Sequence, residues 1–354
     1  MDIQQLLQAS VKSGASDLHL LSGLPPMMRV DGELHPVSNE KLLTDEVVET
    51  MMATLMSEEQ RELFKVNKEV DFSFDYGNLA RFRVNAYHAM GKVGAALRMI
   101  PKAIPTIDEL QLPPICHTFA ELHHGFVLVT GPTGHGKSTT LAAILGEINQ
   151  NRAVHIVTIE DPIEYVHQAK KAILSQREMH NDSHSWEVAL RSALREDPDV
   201  VLVGEMRDYE TIAAALTIAE TGHLVFATLH TNSASQTIDR IVDVFPPHQQ
   251  AQVRMQLAAT LEAVFSQRLL PMLEGGRIVS YEVMLGTAAV RNSIREGKTH
   301  LLDNVIQTSV ELGMSPLEMS LAKLVQEGKV NGETALRYAL RPDDLSRLLY
   351  GRKK

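Results

Sequence analysis

The chain has almost no cysteine, no long apolar run and no excess of basic charge, and each lack removes a class of protein. Cys116 is the one cysteine among 354 residues, so neither an internal disulfide nor a cysteine-based zinc site can form. No apolar run approaches the roughly 20 residues a membrane-spanning helix needs. The opening Met1-Asp2-Ile3-Gln4-Gln5 carries neither a basic n-region nor an apolar h-region, so secretion is not expected and the expected compartment is the cytoplasm. The formal net charge is −10, which argues against a surface that coats nucleic acid non-specifically. Residues 1–100 hold 14 acidic and 10 basic side chains and the remainder is acidic too, so neither part is a basic module. A locally basic channel inside an assembly is compatible with that balance. Repeats and low-complexity segments are missing as well, and the length suits about two domains.

What is present is concentrated after residue 125. Gly131-Pro132-Thr133-Gly134-His135-Gly136-Lys137-Ser138 fits the phosphate-loop pattern at every defined position, with Thr139 following. Phe126 to Thr130 reads as a buried strand before it. Leu141, Ile144, Leu145 and Ile148 recur at helical spacing after it. Glycines let backbone N–H groups close around phosphate oxygens, and the helix N-terminus adds partial positive charge. Lys137 can reach the β- and γ-phosphates, and the Ser138 hydroxyl can ligate Mg²⁺. The alternative, a glycine-rich turn that binds nothing, does not explain the strand and helix that flank it. A nucleoside triphosphate is the expected ligand.

Proline-rich residues 101–114 read as a semi-extended linker. Before it the pattern is α+β. Helices are expected at Gln4–Ser13 and Val47–Met56, with strands at Asp17–Leu21, Met27–Val30, Val70–Phe74, Ala80–Tyr87 and Gly94–Ile100. A hairpin turn is expected at Asp31-Gly32. From 115 to 354, strands at 126–130, 154–160, 200–204 and 224–229 alternate with helices, as a largely parallel α/β sheet requires. The chain is helical from about 287, and Arg352-Lys353-Lys354 is an expected frayed end.

Three further stretches carry candidate chemistry. Val200 to Val203 is a buried strand that delivers Gly204-Glu205 at its C-terminal edge, where open α/β sheets bind ligands. Gly204 stands where many P-loop enzymes carry an aspartate, so Glu205 is the candidate to hold Mg²⁺, through water; a helix-capping glutamate is the alternative. Thr158 to Tyr165 places Glu160, Asp161 and Glu164 after a strand. A carboxylate there could orient and deprotonate a water attacking the γ-phosphate, while an acidic turn taken alone is more often solvated surface. His223 and His230 bracket the strand at 224–229; His230 is either a sensor of the γ-phosphate or a structural histidine. His180, Asp182 and His184 lie in a polar stretch and read as surface residues.

In their order, the P-loop, IEDPIEY, ALREDPDVVLVGEMRD and ETGHLVFATLHTNSA resemble the Walker A, Asp box, atypical Walker B and His box of the type II/IV secretion ATPase superfamily. The resemblance runs from Gly14 through the C-terminal helices. It points to the type IV pilus retraction (PilT-like) branch, because the chain lacks a four-cysteine zinc motif and carries AVRNSIRE from Ala289 to Glu296. It implies an N-terminal PAS-like α+β domain (1–100) and a RecA-like ATPase domain (115–354) that act as a homo-hexamer with ATP and Mg²⁺. Glu164 would be the general base, Glu205 the Walker-B glutamate and His230 the His-box histidine. Arg81, Arg83 and Arg98 would complete the site from the N-terminal domain. Arg81 and Arg83 lie two apart in a strand and so share one face, which bare sequence reads as solvated. Arg291, Asn292, Arg295 and Glu296 would transmit force to another subunit or to a pilus platform protein at the cytoplasmic face of the inner membrane. The implied function is ATP-driven pilus retraction. The alternatives are an accessory pilus or protein-secretion motor of the same superfamily, or a RecA-like nucleic-acid translocase; acidic balance and the Asp and His boxes count against nucleic acid as a partner.

Overall fold

The computed structural model describes residues 2–30, 32–37, 41–77, 79–101 and 103–351. The expected turn at Asp31 and the C-terminal Arg352-Lys353-Lys354 lie outside them. Two compact units emerge, Met1–Ala103 with Pro162–Val166, and Ile104–Asp161 with His167–Lys354. No helix of the described residues is long and apolar enough to cross a membrane.

The first unit is built on an antiparallel sheet of β1 (Asp17–Leu21), β2 (Met27–Val30), β3 (Glu33–Pro36), β4 (Glu69–Tyr76), β5 (Ala80–Ala89) and β6 (Lys92–Pro101), in the order β3-β2-β1-β6-β5-β4. Alternation drives its burial. Leu18 and Leu20 of β1, Phe82, Val84 and Ala86 of β5, and Ala95 and Leu97 of β6 all face one core. Helices Ile3–Ser13 and Asp45–Leu55 cover that face with Leu6, Leu7, Met51 and Met52. A third helix, Glu58–Asn67, carries no buried residue and is held by a reciprocal cap between Ser57 and Gln60.

The second unit holds β7 (Gly125–Thr130), β8 (His155–Glu160), β9 (Ile173–Glu178), β10 (Val200–Val203), β11 (Leu224–Leu229), β12 (Leu261–Pro271) and β13 (Arg277–Leu285), ordered β13-β12-β7-β11-β10-β8-β9. All neighbours pair in parallel except β12 and β13. Strands covered on both faces read as continuous apolar runs. Along β7, Phe126 and Leu128 face one core while Val127 and Val129 face the other. The helix Lys137–Asn151 covers the second face through Leu141, Ile144, Leu145 and Ile148 beside Phe119 and Cys116. The helix Tyr209–Glu220 covers the first through Ile212 and Leu216. Cys116 is fully buried, and burial pushes its thiol up to about 12.

The proline-rich stretch after β6 departs from the expected extended linker. Thr106 and Glu109 cap one another reciprocally, a turn follows, and Ile107 and Leu112 are buried in the second unit's core. The C-terminal helices seat Leu317, Leu321 and Leu345 against Leu270 of β12 and Ile278 of β13.

Candidate active site at the ends of the parallel strands

Parallel strands all end on one side of a sheet, so the segments after β7, β8, β10 and β11 collect at a single edge. After β7 the chain turns through Gly131 with φ +141°, and a Cβ there would lie 2.3 Å from the Gln267 carbonyl oxygen. Only glycine passes. Lys137 opens the following helix, is 8% exposed, and its Nζ donates to the carbonyls of Gly131 (2.8 Å) and Pro132 (3.1 Å). Ser138 and Thr139 follow, half-buried, in the helix's first turn.

Glu205 follows β10. A Cβ on Gly204 would meet the Glu160 Cα and the Ile159 carbonyl at 3.1 Å, so a side chain at 204 would need the adjoining strand to give by a few tenths of an ångström. The acidic group sits one residue later. Its Oε1 lies 3.1 Å from His230 Nε2, and its Oε2 accepts from Arg207 Nη2 at 2.8 Å. Burial alone would raise this carboxyl, but Arg207, His230 and Lys137 together hold it below the usual carboxylate range. His230, just past β11, reaches the phosphate loop with its other nitrogen, 3.0 Å from Thr133 Oγ1. One imidazole thus bridges the P-loop and the Glu205 carboxylate. Thr228 fixes the base of this arrangement by donating to the Gly204 carbonyl at 2.5 Å. Glu160 accepts from Thr158 Oγ1 at 2.7 Å and belongs to the strand-end scaffold.

Lys137, Thr133, Glu205 and His230 are thus brought together. Hydroxyl and ionised carboxylate are hard oxygen donors, the kind Mg²⁺ takes, so Ser138 and Glu205 fit that ion. Glu164 is half-buried on the Pro162–Val166 segment, which groups with the first unit, whereas its sequence position put it in the ATPase domain. Arg81, Arg83 and Arg98 also belong to the first unit. Arg81 pairs with Asp75 at 3.2 Å, Arg98 with Asp17 at 3.1 Å, and Arg83 is half-buried opposite Arg98 in the β5–β6 register. His180, Asp182 and His184 are exposed.

The helix Ala288–Arg295 requires a correction. Helical spacing puts Arg291 and Arg295 on one face available to a partner, yet Arg291 is turned inward. Its Nε donates to the Gly286 carbonyl (2.6 Å), its Nη1 to those of Ala258 (3.0 Å) and Ala259 (2.5 Å), and its Nη2 pairs with Glu262 (2.8 Å). It satisfies carbonyls in the last turn of the helix Pro247–Thr260 that have no partner within that helix. Asn292, Arg295 and Glu296 remain exposed.

Two residues that sequence reasoning passed over adjoin the site. Gln267 of β12 donates from Nε2 to the His135 carbonyl at 2.6 Å. Glu282 of β13, 1% exposed, accepts the Ala234 N–H at 2.7 Å where the helix after His230 begins. Burial drives its carboxyl up to about 7, with the Ala234 bond opposing and the neighbouring Asp303 and Glu318 adding to the rise.

Comparison with known proteins places this geometry. The sequence model of the type II/IV secretion system protein family matches residues 1–279. The chain belongs to that family. It is 50% identical over 344 residues to the type IV pilus retraction ATPase PilT of Pseudomonas aeruginosa, covering 97% of this chain and 100% of that one. A twitching motility protein of Neisseria gonorrhoeae is 47% identical, over 97% of this chain and 92% of its own length. The crystal structure of a pilus retraction motor PilT with bound ADP superposes with a TM-score of 0.90 at 45% identity, covering 98% and 99% of the two chains. An N-terminal domain precedes a RecA-like ATPase domain.

Proposed function

We propose that this chain is a hexameric motor ATPase that hydrolyses ATP to power type IV pilus retraction, and hence twitching motility, from the cytoplasmic side of the inner membrane. The observation that carries the reading is the bridge from Thr133 through His230 to Glu205, set at the mouth of a complete phosphate loop in a chain half identical to a retraction ATPase. In this reading the backbone of Gly131 to Gly136 and the Lys137 ammonium hold the β- and γ-phosphates, the lysine exchanging its two carbonyl partners for phosphate oxygens. Ser138 and, through water, Glu205 would hold Mg²⁺, and the ion would supply charge neutralisation at the phosphates. Glu205 stays ionised because Arg207 and His230 flank it. His230 touches both the loop and Glu205, so a change at the γ-phosphate is felt by the helix that follows. Glu164 accepts the proton of the attacking water, and Arg81, Arg83 and Arg98 supply positive charge to the transferring phosphoryl group. Asn292, Arg295 and Glu296 face a neighbouring subunit or a membrane platform protein. Arg291 holds their helix in place.

The test is Glu164→Gln in cells. Only proton acceptance is removed, so ATP still binds, hydrolysis falls by about 100-fold or more, and pili extend without retracting. Normal retraction at wild-type protein levels overturns the reading. Sedimentation of the purified chain with ATP tests the hexamer.

A further inference from the structure

The phosphate loop is gripped by a strand that no nucleotide motif includes. Gln267 is 1% exposed at the parallel β7–β12 edge, next to Ser266, whose hydroxyl bonds Thr130 at 2.7 Å at the loop's entry. Its Nε2 donates to the carbonyl of His135. Two residues on, the Leu269 N–H donates to the His135 ring nitrogen Nδ1 at 3.0 Å. His135 is therefore held twice, by its backbone and by its side chain, from one strand. The ring accepts at Nδ1 only when that nitrogen is unprotonated. Burial chiefly, then the charges of Arg268, Lys137 and Arg277, hold the imidazole pKa below its usual value and favour that form. The strand is braced from behind, where Arg268 Nη1 donates to the Tyr338 carbonyl at 2.8 Å.

The amide itself is an expensive choice for this position. Gln267 Oε1 is buried and has no hydrogen-bond partner among the described residues. A buried acceptor without a partner is destabilising, and an apolar side chain of the same shape avoids that cost. Stability alone thus sets one bond to the His135 carbonyl against one unpartnered oxygen, and gives Gln no clear advantage over Met. What Met cannot do is donate to His135. Gly136 packs close to the same amide, since a Cβ at 136 would meet Gln267 Nε2 at 3.3 Å, so the donor lies against the centre of the loop.

We propose that Gln267 is a positioning residue for nucleotide binding, holding the loop in its phosphate-ready form through His135 before nucleotide arrives. The inference rests on the nucleotide-binding reading of the loop. A loop without this bond spends part of its time in forms whose N–H groups do not converge, and apparent affinity falls by the fraction lost. ATP and ADP feel this equally, because the loop shape precedes contact with either. Once nucleotide is bound its phosphates hold the loop themselves, so turnover at saturation is less affected than affinity.

The experiment compares the full-length wild-type chain with Gln267→Met and Gln267→Asn. It measures MgADP affinity by calorimetric titration, steady-state KM and kcat for ATP, and Tm without nucleotide. In Gln267→Met, affinity for MgADP falls at least fivefold and KM rises in step, kcat falls by less than KM rises, and Tm stays within about 4 °C of the wild type. Gln267→Asn keeps the amide but draws the donor back, and affinity falls in the same direction; it carries the test if the Met variant fails to fold. Unchanged affinity in the variants overturns the positioning role, as does a loss of Tm that alone accounts for the lower activity. A fall in kcat with affinity intact also overturns it and makes Gln267 part of the chemistry. If the wild-type chain itself binds no MgADP, the nucleotide reading fails instead, so the two failures are distinct.

Discussion

Replacing Glu282 by glutamine should reshape how stability depends on pH. The carboxyl is fully buried, and its folded pKa of about 7 lies above the ordinary glutamate value of 4.5. An acid raised on folding keeps its proton longer in the native state. Its stabilising share is present below about pH 4.5 and is lost as pH rises through 7. The full shift corresponds to about 3 kcal/mol at 1.36 kcal/mol per pKa unit, of which about 2.5 kcal/mol falls between pH 5 and pH 8. Glutamine keeps an oxygen to accept the Ala234 N–H and has no proton to lose. The variant's stability relative to the wild type should therefore grow by about 2.5 kcal/mol between pH 5 and pH 8. Trp186 is the sole tryptophan and lies in the ATPase unit, so urea titrations followed by its fluorescence at each pH report the relevant unfolding. A stability difference that does not change with pH would refute the argument, showing that Glu282 is ionised in the native state throughout and stabilised by Arg341, 3.8 Å away.

Lys137→Ala should weaken MgADP binding by about 10-fold or more, since a charge-assisted bond to phosphate is worth roughly 1.5–3 kcal/mol; unchanged affinity in a titration would place the ammonium away from the phosphates. Arg291→Ala strips donors from three carbonyls and should lower Tm by roughly 4–12 °C, from about 2–3 kcal/mol in a unit of this size. Arg295→Ala, at an exposed position on the same helix, should stay within about 0.5 kcal/mol of wild type, while pilus retraction fails. Equal Tm values for the two arginine variants would contradict the inward placement of Arg291.

Much of the site could be read from residues because its chemistry is local. A phosphate loop must be a short strand, glycines and a helix start in sequence, and Gly131 to Ser138 with Phe126–Thr130 before it meets every requirement within a few positions. Glu205 and His230 were legible for a similar reason, as each ends an apolar run whose parallel neighbours share one edge. What escaped reading was non-local or unpunctuated. The helix Pro247–Thr260 passes directly into β12 at Leu261 with neither glycine nor proline between them, so periodicity has no boundary to detect. Gln267 and Glu282 went unseen with the hairpin that carries them. The helix Glu58–Asn67 has no fully buried residue and packs on the core only through the partly buried Phe64; Ser57 and Gln60 mark its start. Arg291 lies at a helical spacing that suggests exposure, and only the neighbouring helix end, about thirty residues earlier, turns it inward.

The lone buried cysteine has a practical consequence. With its thiol pushed up to about 12, Cys116 is ionised in only about one molecule in 10⁵ at neutral pH, and the thiolate is the species that reacts with maleimides. A cysteine introduced at an exposed site with no assigned role, such as Val66, would be labelled far faster than Cys116, with the native residue left in place. Fluorophores or surface tethers could then be attached to the folded chain at one chosen point, which is what following a single subunit through a mechanical cycle requires.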